Sequence, residues 1–266
     1  MKIGFIGTGN MGGALARAAA KGGHTLLLAN RTPAKAEALA QELGGTVCPN
    51  AEAAETAELL FLGVKPQGLP GLAGELAPVL QARKGNAPVV VSMATAVTLR
   101  ELDAMLGGGL PLIRIMPNTP AAVGAGTILY AAQNVTDAQL NAFRAVLAQA
   151  GLLLPLPEAQ IDAASAISGC GPAFCFQFAD ALALGGVRAG LSYPDACRLA
   201  AQTMLGAAEM LLQGGEAPDV LKMRVCSPAG TTIEGVLALE QGGFSYTVQN
   251  AVTAAYRRTV DMTKKG

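Results

Sequence analysis

Three of the four glycines in the first twelve residues set the terms for the fold. Gly7-Thr8-Gly9-Asn10-Met11-Gly12 follows a short apolar run, Lys2–Ile6, and opens an Ala-rich segment over 11–21 that Gly22-Gly23 stops. Strand, glycine turn and helix form the context in which G-x-G-x-x-G carries meaning. The first glycine makes a tight turn, the second lets the backbone approach a pyrophosphate, and the third lets helix pack on strand. The helix start adds N–H groups and the positive end of its dipole. A glycine turn without a ligand is the weaker reading in this context.

The rest of the first half alternates strand and helix patterns. Strands are expected over 25–29, 59–64, 89–92, 112–116, 126–130 and 152–156. Helices are expected over 33–43, 69–82, 99–106 and 137–149, the first with Thr32 as N-cap, Pro33 in its first turn and Gly44 after its end. Such alternation predicts a mainly parallel, doubly wound sheet in an α/β domain. Pro155 and Pro157 mark a boundary, beyond which strand patterns vanish. Helices are expected over 161–186, 194–213, 218–224, 233–241 and 244–264, giving two domains, 1–157 and an all-α 158–266.

Composition excludes several classes. Lys plus Arg and Asp plus Glu each number 19, so no basic footprint points to nucleic acid or a membrane surface. With 51% apolar and 14% charged residues, the chain is not disordered, and burial between subunits is expected. The long uncharged stretch from Ile115 to Thr136 is broken by Pro117, Pro120, Gly124 and Gly126, which disfavours a membrane span. Five cysteines without a C-x-x-C pair suit reduced thiols in the cytoplasm. The single histidine, His24, argues against a His-based metal site or a Ser-His dyad. No metal is expected.

The end of the second strand selects the cofactor. NAD sites usually place a carboxylate there for the ribose hydroxyls. This chain has Asn30-Arg31-Thr32 instead. Arg31 offers a fork of donors matched to a 2′-phosphate, so NADP(H) is expected over NAD(H). A solvated turn arginine is the alternative. Val64-Lys65-Pro66-Gln67, the 92–96 segment with Ala94, and Met116-Pro117-Asn118 follow later strands at the same sheet edge, where nicotinamide-side contacts are expected. Lys65 reads as catalytic or, more commonly, as a surface or ribose-contacting residue. Asn118 either bonds the carboxamide or braces its loop.

Two glycine segments stand out in the helical half. Ser168-Gly169-Cys170-Gly171-Pro172-Ala173-Phe174 interrupts a helix, through close approach of a ligand or backbone or as a plain break. Ser227-Pro228-Ala229-Gly230-Thr231-Thr232-Ile233 runs from loop into helix. The N–H groups of Gly230, Thr231 and Thr232 there suit a small carboxylate. The alternative is that Thr231 or Thr232 merely caps the helix.

Taken together and in order, these segments resemble pyrroline-5-carboxylate reductase over nearly the whole chain. The carriers are 4–11, 30–32, Val64-Lys65-Pro66-Gln67, 114–120, 168–174 and 227–233, the last two being the most family-specific. Cys170, Phe174 and Ala229 stand where the family usually has Ser, Tyr and Gly. The resemblance implies NAD(P)H-dependent reduction of L-Δ1-pyrroline-5-carboxylate to L-proline, the last step of proline biosynthesis. It implies an N-terminal Rossmann dinucleotide-binding domain and a C-terminal all-α dimerisation domain. A homodimer follows, with further assembly into a decamer of five dimers, and an active site between the domains. It implies a 2′-phosphoribose site near Asn30, Arg31 and Asn50. It puts the substrate carboxylate on the Gly230-Thr231-Thr232 backbone near Ser227, with the Thr232 hydroxyl at the ring nitrogen as the catalytic group.

Reducing a cyclic imine needs a hydride on carbon and a proton on nitrogen, so the lack of a histidine cluster is no objection. Among rivals, 3-hydroxyacid dehydrogenases need a lysine that 161–186 lacks. The donor cluster at 230–232 favours a carboxylate substrate over other imines. The same cluster speaks against a purely regulatory NADP-binding protein.

Overall fold

The computed structural model describes residues 1–83 and 85–263. In chain order, the sheet half runs β1 (Lys2–Ile6), α1 (Asn10–Ala20), β2 (Thr25–Ala29), α2 (Pro33–Leu43), β3 (Thr46–Val47), α3 (Asn50–Thr56) and β4 (Leu59–Leu62). It continues with α4 (Leu69–Ala82), β5 (Val89–Ser92), α5 (Leu99–Met105), β6 (Leu112–Pro117), β7 (Gly126–Gln133), α6 (Asp137–Leu147), β8 (Gly151–Pro155) and α7 (Glu158–Ser168). One sheet results, in the order β3-β2-β1-β4-β5-β6-β7-β8. It is parallel from β3 through β6; β7 runs antiparallel to β6, and β8 lies parallel to β7.

Near-continuous apolar strands are what a sheet covered on both faces requires. Successive side chains point to opposite faces. Leu27, Leu60, Leu62, Val90 and Leu112 therefore join one core with α3, α4 and α5. Leu26, Leu28, Leu59, Phe61, Val89, Val91 and Ile113 join the other, with α1, α2 and α6. Phe5 and Phe61, opposite one another on β1 and β4, stack with centroids 4.6 Å apart.

Several local expectations need correction. Thr32 occupies the N-cap position of α2 but its side chain caps nothing. β4 stops at Leu62 rather than reaching Val64, because Gly63 is held against the Gly7 turn: a Cβ there would meet the Gly7 oxygen at 2.4 Å. β3 and α3 were not expected; β3 is two exposed residues, too short to show a period. The expected helix end at Lys264 lies outside the described residues, as does the end of 158–266.

A buried cation ties α7 to the sheet. Arg114 on β6 is 2% exposed. Its Nη2 donates to Asp162 Oδ1 at 2.5 Å and its Nη1 lies 3.4 Å from Glu158 Oε1. The same Glu158 oxygen accepts the Leu99 N–H at 2.6 Å, satisfying a first-turn donor of α5. Glu158 and Asp162 stand one helical turn apart, and Ile161 beside them enters the core.

The chain divides into two compact units, Met1–Cys170 with Tyr256 onward, and Gly171–Ala255. The second holds α8 (Gly171–Arg188), α9 (Tyr193–Gly214), α10 (Pro218–Arg224), α11 (Thr231–Gln241) and most of α12 (Phe244–Thr263). There α8 packs along α9, with Gly186 close enough that a Cβ would lie 3.1 Å from the Ala196 Cβ. Among the described residues of this unit, only Ala183, Ala196 and Ala200 are fully buried. Large apolar side chains such as Phe176, Leu184, Met210 and Leu212 are exposed. The helical stretch Glu158–Arg188 is also long and apolar enough, by length and composition, to cross a membrane.

Replacing Arg114 by Ala leaves two carboxylates without their cation, at an expected cost of roughly 2–4 kcal/mol, tempered because both are partly solvated. Urea unfolding checks this; Asp162→Asn should lower the midpoint less.

Candidate functional site

At the C-terminal edge of the parallel strands lies a cleft of about 640 Å³, lined by Gly7, Gly9, Asn30, Arg31, Asn50, Gly63, Val64, Lys65 and Gln67 among others. Open α/β sheets bind ligands at this edge, where the strand order reverses. Here the reversal falls between β1 and β4.

The glycine loop is held by backbone contacts that tolerate no side chain. Gly7 has φ +99°, in the left-handed region, and a Cβ on it would meet the Gly63 oxygen at 2.5 Å. A Cβ on Gly12 would meet the Gly7 oxygen at 2.0 Å. By contrast, a Cβ on Gly9 would meet no protein atom within 4 Å, so the room beside it is open. Thr8 is buried and its hydroxyl has no hydrogen-bond partner. Asn10 and Met11 begin α1, whose N-cap Gly9 provides no side-chain acceptor. Open room, an orphaned hydroxyl and uncapped first-turn N–H groups fit a pyrophosphate.

Asn30 braces the loop from β2. Its Oδ1 accepts the Thr8 N–H at 3.1 Å and its Nδ2 donates to the Thr32 carbonyl at 2.9 Å. Arg31 beside it is exposed and reaches the cleft. Asn50 heads α3 and donates to Glu75 Oε2 at 3.1 Å. Val64 and Lys65 follow β4, and Pro66 begins a single 3-10 turn carrying Gln67. Ala94 is buried after β5, its N–H 3.3 Å from Ser92 Oγ. Met116 and Pro117 end β6. The Asn118 amide is a brace: its Oδ1 accepts the Thr127 N–H at 2.8 Å and its Nδ2 donates to the Ser168 carbonyl at 2.9 Å. Ala94, Met116, Pro117 and Asn118 are not among the residues lining the cleft.

Gly63, Gly68, Leu72 and Glu75 line the cleft but were not singled out from the sequence. Leu72 and Glu75 carried a usable signal, since three-residue spacing on α4 puts them on one face. Gly63 carried none, because its partner Gly7 is distant in sequence.

In the helical unit, Gly230 is the N-cap of α11 and no side chain caps the helix. Thr231 and Thr232 therefore occupy its first turn, which removes the reading in which either one merely N-caps. Ser227 folds against the turn: Gly230 N–H donates to its carbonyl at 3.0 Å, and a Cβ on Gly230 would meet Ser227 Oγ at 2.3 Å. Ala229 before it has φ +55°, a strained conformation for a residue with a Cβ. The arrangement presents backbone donors and two hydroxyls that suit a small anion. Phe174, on α8, instead lines an apolar cavity of about 570 Å³ with Phe178, Met204 and Phe244. Among the described residues no group of three or more His, Cys, Asp or Glu side chains forms a metal cage.

The family model for pyrroline-5-carboxylate reductase dimerisation matches residues 158–262, and that for NADP oxidoreductase, coenzyme F420-dependent, matches 2–96. Pyrroline-5-carboxylate reductase 3 of Macaca fascicularis is 35% identical, over 99% of this chain and 97% of that protein. The structure of a pyrroline-5-carboxylate reductase from Coxiella burnetii matches with a TM-score of 0.90 and 31% identity, covering 98% of both chains. That of Plasmodium falciparum pyrroline carboxylate reductase, with NADP bound, matches with a TM-score of 0.86 and 29% identity, covering 99% and 98%. An unbroken correspondence of this length, over the glycine cleft and the helical half alike, means that the chain belongs to the pyrroline-5-carboxylate reductase family.

Proposed function

We propose that this chain reduces L-Δ1-pyrroline-5-carboxylate to L-proline with NADPH, NADH being the poorer donor. Family membership carries the reaction. The cofactor preference is supported by Arg31 in the cleft, the absence of a carboxylate at the end of β2, and the bound NADP of the Plasmodium falciparum relative. NADPH supplies the hydride. The glycine loop, with the orphaned Thr8 hydroxyl and the first turn of α1, holds its pyrophosphate, and Arg31 with Asn50 holds the 2′-phosphate. Val64 to Gln67 border the nicotinamide side, with Ala94 and Met116 to Asn118 shaping the loops beyond.

The helical unit supplies the substrate anchor. Uncapped N–H groups of Thr231 and Thr232, with Ser227 and Gly230 shaping the turn, bind the carboxylate. The Thr232 hydroxyl orients the ring nitrogen and passes a proton to it, directly or through a water. A protonated imine is already electrophilic, so positioning accounts for most of the catalysis.

The functional division is 1–157 for the cofactor and 158 onward for substrate and dimer formation. Exposed apolar side chains on α8, α9 and α12 need a partner, and a second copy supplies it. The dimerisation match covers the whole Glu158–Arg188 stretch, so its apolar surface is read as a subunit interface rather than a membrane span. Assembly of five dimers into a decamer is the further expectation. Five unpaired cysteines fit a reducing, cytoplasmic compartment.

Purified protein should oxidise NADPH only when the imine is added, with proline as product by chromatography; cofactor binding without turnover would refute the substrate reading. Arg31→Ala should weaken NADPH roughly tenfold and NADH less than about threefold, as loss of charge-assisted bonds to phosphate predicts. Equal effects on both would remove its 2′-phosphate role. Thr232→Ala should lower kcat roughly a hundredfold. NADPH affinity, followed by fluorescence titration, should stay unchanged in that variant.

A further inference from the structure

The lining of the sheet-edge cleft carries two cations, Arg31 and Lys65, and a single carboxylate, Glu75. Glu75 stands on α4 on the same face as Leu72, a buried residue that also lines the cleft. Its Oε2 accepts the 3.1 Å hydrogen bond from Asn50 Nδ2. Asn50 heads the helix reached from β2 through β3, and shares the cleft with Asn30 and Arg31. The contact therefore brings the carboxylate to the β2 end of the cleft, where a Rossmann site meets the adenosine ribose. In a site built for an unphosphorylated ribose, the acidic acceptor comes from the end of β2 itself. Here that position is Asn30, whose amide is engaged by Thr8 and Thr32. Negative charge at this end of the cleft is supplied from α4 instead.

We propose that Glu75 is a specificity-determining residue that opposes Arg31 at the ribose 2′ position. This inference rests on reading the cleft as the NAD(P) site. With a free 2′-hydroxyl, Glu75 accepts a hydrogen bond, directly or through Asn50. With a 2′-phosphate, the two like charges repel, and Arg31 must outweigh the repulsion. Glu75 thus holds the preference for NADPH below what Arg31 alone would give and keeps NADH usable.

Calorimetric titration of the full chain with adenosine 2′,5′-bisphosphate and with AMP, which differ only in the 2′-phosphate, isolates the 2′ group from catalysis. Glu75→Gln keeps the shape and removes the charge. It should tighten the bisphosphate roughly three- to tenfold at low salt and weaken AMP about twofold, the first effect shrinking as salt screens the pair. Glu75→Ala should shift the bisphosphate the same way and weaken AMP further, since it also removes the acceptor. NADPH and NADH fluorescence titrations should show the same split. Both variants lie on an exposed helix position, and an unchanged circular dichroism spectrum checks their folding. An unchanged ratio of the two affinities, or a parallel change in both, overturns the proposal. Wild-type protein that binds neither probe refutes the cofactor reading, and the role of Glu75 with it.

Discussion

The close meeting of three backbones at Gly7, Gly12 and Gly63 is the constraint from which the cofactor half is built. The Gly7 oxygen lies where a Cβ on either Gly12 or Gly63 would have to go. The Gly7 N–H donates to Ala29 at 2.8 Å, and the Gly63 N–H to Ile6 at 2.7 Å, so the turn is bonded to both neighbouring strands. With no side chains between them, β1, the start of α1 and the end of β4 come together and leave the outer side of the loop open. The cleft is the space that remains.

A second knot organises the far half of the sheet. Arg114 is nearly solvent-free and meets two carboxylates from α7, one of which also satisfies the first turn of α5. Asn118, four residues along the same strand exit, grips the other end of α7 through the Ser168 carbonyl. The helix leading into the 168–174 segment is thereby pinned at both ends to β6. A buried ion pair contributes little net stability against an apolar substitute, but it is intolerant of losing one partner. Its value here is in fixing where α7 lies.

Much of this was legible in the residues. α2 and α4 run over the expected ranges because proline, glycine and apolar spacing agree on their ends. β7 runs on to Gln133, past the expected Tyr130, because its pairing with β6, not its own pattern, sets its length. β3 and α3 left no readable period. Among the residues lining the cleft, Gly7, Gly9, Asn30, Arg31 and Lys65 follow from local motif and strand position. Asn50 came only through family resemblance, and Glu75 was unseen, because each depends on a helix being folded back to the cleft.

By itself the sequence determined the alternation of strands and helices, the glycine turn, the neutral and aromatic-poor character of the chain, and the motifs that carry the family. Apart from composition, which belongs to the whole chain, these are local properties: each is decided by residues within a turn or two of one another. Tertiary structure alone decided that Asn30 and Asn118 serve as braces, that Arg114 anchors α7, and that Glu75 reaches Asn50. Each of these is a pairing between atoms that only the packed chain brings within hydrogen-bonding distance, and a donor or acceptor does not declare its partner until the sheet has placed it.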